Sequence, residues 1–125
     1  MKNVFLLLAA IVCFSFSGFS TKVKIGNTTS DWITVRIGFN DGADCTVDEW
    51  VNVCIPPGGS TIVSSTIPAD VPVMARAYTG CPPDPFAESY TGNPAFGCTP
   101  PPDTVPYLLT WYDPMDGEHW GVTVE

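Results

Sequence analysis

Basic residues are scarce in this chain: five Lys and Arg stand against thirteen Asp and Glu, with one histidine, among 125 residues. A net charge of −8 repels phosphate backbones and anionic lipid surfaces, so nucleic acid is not expected as a partner. The lone His119 would have to be the base of any Ser-His-Asp relay, and no G-x-S-x-G elbow accompanies it. The cysteines include no C-x-x-C pair, which removes the usual zinc frameworks. No segment repeats its apolar residues at helical spacing. These gaps argue against an enzyme and against a cofactor.

What the chain does have begins with an address. Lys2 precedes an apolar run from Phe5 to Phe16, broken only by Ser15, and the small residues Gly18 and Ser20 come just before Thr21. Residues 1–20 read as a secretory signal, the run being shorter than the ~20 residues of a spanning helix. Residues 21–125 then form one β domain that is secreted, periplasmic or on the cell surface, with no membrane insertion after cleavage. That domain keeps four bases against thirteen acids, a net charge of −9.

Without Cys13, four cysteines remain, and an even count in an oxidising compartment implies two disulfides. Of the three possible connectivities, the sequence-local one is expected: Cys45 with Cys54 and Cys81 with Cys98, each bracketing a turn-rich stretch.

Strict alternation marks the strands. Ile33, Val35, Ile37 and Phe39 occupy one face of the stretch from Asp31 to Asn40, with Trp32, Thr34, Arg36 and Gly38 on the other. Lys22 to Ile25 alternates in the same way. Asn27-Thr28-Thr29 matches a glycosylation sequon but is better read as a turn cap. Further strands are expected at Trp50 to Ile55, Ser60 to Ile67, after Val71, at Tyr107 to Tyr112 and at His119 to Val124. In the strand after Val71, Ala75 and Ala77 face inward while Arg76 and Tyr78 face outward, and Pro72 predicts an edge position or a start beyond it. Cys81 to Pro106 holds eight of the thirteen prolines and reads as one long surface loop.

The order N-x-T-x-x-x-I-x-V-x-I at 27–37, followed by P-P-G-G-S-T-I-V at 56–63, resembles Ig-like modules of secreted bacterial proteins. The resemblance and the turn-separated strands together imply an all-β fold: a single antiparallel β-sandwich of about seven strands. An Ig-like fold implies no particular function.

Binding is the expected role, carried by the Pro-rich loop Pro82 to Gly97 with Phe86, Tyr90 and Phe96, and by the outer-face rings Trp32, Tyr78 and Tyr112. The partner expected is a protein or a carbohydrate at a cell surface. Alternative roles are a structural subunit that self-associates through its C-terminal strand, or a small secreted protease inhibitor presenting the same loop. Two acidic turns, Asp113 with Asp116 and Glu118, and Asp41 with Asp44, Asp48 and Glu49, are weak calcium candidates, since calcium wants six to eight oxygens.

Overall fold

In the computed structural model, residues 21–85, 88–98, 106–115 and 119–125 are described. The proposed signal, together with Phe86, Asp116 and Glu118, lies outside them. The described chain is all β, in eight strands where about seven were expected: β1 (Lys22–Asn27), β2 (Ile33–Asn40), β3 (Glu49–Ile55), β4 (Ser60–Ser64), β5 (Val71–Thr79), β6 (Glu88–Gly92), β7 (Leu109–Tyr112) and β8 (His119–Val124). They form two four-stranded sheets, ordered β4-β1-β8-β7 and β3-β2-β5-β6. All neighbours are antiparallel except β1 and β8, which run parallel. The purely antiparallel expectation is corrected there.

Alternation does its work in β1 and β2. Val23 and Ile25 are fully buried while Lys22 and Lys24 stay exposed, and Ile33, Val35, Ile37 and Phe39 are fully buried in β2. Ile55, Val63, Ala75, Ala77, Leu109, Val122 and Val124 join them in one cluster drawn from both sheets. Each large side chain withdrawn from water there contributes about 1.5–3 kcal/mol.

Asn27 ends β1 and ties both sheets to the turn beyond it. Its Nδ2 donates to the carbonyls of Asp31 at 2.8 Å, Pro56 at 3.1 Å and Ile55 at 3.3 Å, while its Oδ1 accepts from the Thr29 amide and hydroxyl. The sequon asparagine is therefore a buried turn cap, as its sequence setting suggests.

Three expectations are corrected. Pro72 lies within β5, an interior strand, but the pairing of β5 with β6 begins only at Met74, and a register shift sits at Gly38/Phe39 opposite Pro72. The missing donor thus falls where the ladder is already irregular. The Pro-rich stretch is not one loop either, because Glu88–Gly92 pairs with β5 as an edge strand and Pro94–Phe96 makes a 3-10 turn capped by Asn93. Finally β8 is flanked by β1 and β7, so the terminal strand has no open side with which to complete another molecule's sheet.

The disulfides are the fourth correction: Cys45 joins Cys98 and Cys54 joins Cys81. Strand length explains it. Cys45 precedes β3 and Cys54 lies near its far end, so with ~3.3 Å per residue along the strand they are far beyond the ~7 Å limit for bridged Cα atoms. Cys81 and Cys98 likewise follow opposite ends of the β5-β6 hairpin, past the pairs Tyr78 with Glu88 and Met74 with Gly92. Each bridge fastens one end of this sheet, with Cα–Cα distances of 5.5 and 6.0 Å. The two bonds call for an oxidising compartment.

Candidate functional site

Directly paired residues on neighbouring strands point to the same side, so register alone lays out the outer face of the β3-β2-β5-β6 sheet. One row across it reads Cys54, Thr34, Tyr78, Glu88, the next Asn52, Arg36, Arg76, Tyr90, and a third Trp50, Gly38, Met74, Gly92. The chain's two arginines are thus direct cross-strand neighbours on the two interior strands. Like charges so placed destabilise a sheet.

Three contacts offset that repulsion. The Trp50 ring lies under both guanidiniums, its centroid 5.0 Å from that of Arg36 and 4.7 Å from that of Arg76. Gly38 makes room for this, since a β-carbon there would run into Val47 and crowd the Trp50 ring. Arg36 Nε donates to Asn52 Oδ1 at 2.9 Å. Arg76 Nε is buried and has Glu88 Oε1 at 3.3 Å as a charge partner without a completed hydrogen bond.

Beside this pair opens a cleft of about 470 Å³, lined by Thr34, Arg36, Asn52, Tyr78, Pro83, Pro85 and Glu88. That volume is in the range of small-molecule sites, ~300–1,000 Å³. Its floor is rigid: Thr34 Oγ1 donates to the Gly80 carbonyl at 2.7 Å, and the Cys54–Cys81 bridge closes the same end of the sheet.

The expected site residues divide. Tyr78 lines the cleft but is only 7% exposed, so it is a wall and not a projecting ring. Tyr90 sits half-buried beside Arg76 on the same face. Phe96 is half-buried, its ring 5.7 Å from that of Trp120 in an edge-on contact, which turns it toward the core. Trp32 is 54% exposed and precedes β2, while Tyr112 stands on the outer face of the other sheet. The five described rings do not form one surface. The Pro82 to Gly97 segment is not closed on itself, because Cys81 and Cys98 are held by partners on the other side of the sheet.

The turn of Asp41, Asp44, Asp48 and Glu49 does not gather into a cation cage, and in the other acidic turn Asp116 and Glu118 lie outside the described residues. Among the described residues no three His, Cys, Asp or Glu side chains are grouped so as to hold a metal. Asp41 and Asp44 accept from the nearby amides of Ala43 and Thr46. Glu49 accepts from the Thr66 amide and from the hydroxyls of Thr66 and Ser65, and the Thr66 bonds hold its carboxyl below the usual range. Asp113 accepts from the Met115 amide. His119 lies opposite Lys22 in the parallel ladder.

Strand alternation puts Arg36 and Arg76 on outer faces without joining them, and nothing in it brings Trp50, Asn52 and Glu88 to the site. The signal available was that the only two arginines both occupy outward positions on strands; which strands adjoin is not written in either segment. The chain matches no known family model, no curated protein and no solved structure.

Proposed function

We infer that this is an exported, non-catalytic binding domain, delivered by the signal at residues 1–20, whose two sheets are the layers of an Ig-like β-sandwich. Its recognition surface is the cleft on the outer face of the β3-β2-β5-β6 sheet, rimmed by Pro83 and Pro85 from the Pro-rich segment. The observation that carries this reading is the pairing of the only two arginines over one tryptophan at the edge of a cleft of about 470 Å³. A purely structural sheet face would gain nothing from setting two like charges side by side. Prolines on the rim favour binding, because a stiff wall loses little entropy when a ligand settles.

The test compares wild type with Asn52→Trp, which fills the cleft from an exposed position, and with Ile62→Ser on the other sheet, using arrays of surface glycans and surface proteins. Capture by wild type and by Ile62→Ser, but not by Asn52→Trp, is expected. Capture unaffected by Asn52→Trp overturns the reading.

A further inference from the structure

Resting on the binding face just described, we propose that the cleft takes the carboxylate of an acidic saccharide, gripped by Arg36, which lines it, and by Arg76, which borders it as the cross-strand neighbour of Arg36 and the charge partner of Glu88. Both guanidiniums meet their partners at Nε, Asn52 for Arg36 and Glu88 for Arg76. Among the described residues no hydrogen bond uses their Nη atoms, and those are the atoms with which arginine holds a carboxylate through two parallel bonds.

Charge selects the anion. Among the residues that line the cleft, with Arg76 beside them, two guanidiniums against the Glu88 carboxylate leave one net positive charge, which suits a monoanion. A phosphate dianion would face both Glu88 and the strongly acidic chain around it. The bound carboxylate would also remove the like-charge conflict between Arg36 and Arg76, so it is held where the apo face is least comfortable.

The rest of the cleft selects a sugar over a peptide. The cleft lies over β2 and β5, interior strands whose backbone groups are committed to ladders on both sides, with Asn52 of the edge strand β3 and Glu88 of the edge strand β6 at its flanks. An extended peptide draws its affinity from just such backbone groups, and over the two interior strands it would find none. A pyranose ring asks only for side chains. Tyr78, Pro83 and Pro85 supply an apolar wall for its C–H face, Glu88 accepts from hydroxyls, and the Asn52 amide, whose Oδ1 already serves Arg36, keeps its N–H donors for ring oxygens.

Calorimetric titration of the disulfide-intact chain tests this with trigalacturonate, sialyllactose and a hyaluronan tetrasaccharide, set against methyl-esterified trigalacturonate, lactose and triglutamate. At least one acidic saccharide is expected to bind. Methyl esterification, Arg36→Gln and Arg76→Gln should each weaken it by about tenfold or more, the loss typical of a charge-assisted pair. No binding by any of the three acids overturns the proposal, as does equal binding of the ester. Tighter binding of triglutamate overturns it in favour of an acidic peptide. Preference for a neutral sugar, abolished by Asn52→Trp, sinks the carboxylate and leaves the binding face standing; binding insensitive to Asn52→Trp sinks both. The ester comparison uses wild type alone, so it stands even if an arginine variant folds poorly.

Discussion

Tyr112 packs its ring directly over Gly121, its cross-strand partner in the β7-β8 pair, where any β-carbon would strike the ring. The buried glycine is thus a seat for an aromatic that is 39% exposed, and the ring is engaged with its own sheet. Gly121→Ala should lift the ring off and destabilise the fold by about 1 kcal/mol, as should Tyr112→Ala. Because both lose the same contact, the double variant should cost little more than either single one. A double-mutant cycle in urea that came out additive would show that the two residues do not act together.

Bridge topology can be read directly. Digestion of the non-reduced protein should yield peptides joining Cys45 to Cys98 and Cys54 to Cys81. Closing loops of 53 and 27 residues, each bridge contributes about 3.5–4 kcal/mol on the chain-entropy model. Removing either pair as a double Ala variant should lower the unfolding free energy on that scale, with the Cys45/Cys98 loss slightly the larger.

Asp70 gives the fold an acid-side signature. Burial pushes its carboxyl up from the ordinary value, helped by the charges of Asp48, Asp41 and Glu49, and its Oδ2 is buried without a hydrogen bond. Since the folded value lies above the unfolded one, folding takes up a proton between the two, and stability falls as pH rises through that window. Asp70→Asn should therefore melt a few degrees above wild type near pH 7, by roughly the shift that a modest stability gain produces. The advantage should vanish below the ordinary carboxyl range of about pH 4.

Glu49 has the opposite sign. The Thr66 hydroxyl and amide hold its carboxyl below the ordinary value, so its contribution is complete above the unfolded value and is lost as pH falls through the folded one. Glu49→Gln should melt below wild type near neutral pH and converge with it in strong acid. Parallel melting curves across the whole range would show that the Thr66 clasp contributes nothing.

Asn27 is a buried position at which an amide-to-carboxylate exchange should be costly. Asn27→Asp would turn a carboxylate oxygen toward the carbonyls of Asp31, Ile55 and Pro56, where an N–H now donates. A loss of about 2–4 kcal/mol is expected, measured by urea unfolding, from a buried anion facing acceptors.

Much of the fold was legible in local pattern. The inward sets Ile33, Val35, Ile37 and Phe39, and Val122 with Val124, follow from alternation because the side-chain period of a strand is a property of the strand alone. β6 escaped because its five residues carry no apolar alternation and lie among prolines; only β5 makes them a strand. Alternation puts Tyr78 on the correct face and composition points to the Pro-rich segment as its companion, but that Pro83 and Pro85 are the residues that reach the cleft depends on the chain's return.

The amino-acid order by itself determined the all-β class, the positions of seven strands, the inward-facing side chains of most of them, the acidic composition and the presence of two disulfides. Tertiary structure alone decided which cysteines meet, which strand lies beside which, and that Arg36 faces Arg76 over Trp50. The physical reason is one of range. Burial pattern is set by neighbours two residues away, whereas a bridge or a cross-strand pair is set by register between segments 27 to 53 residues apart, and register exists only once the sheets have formed.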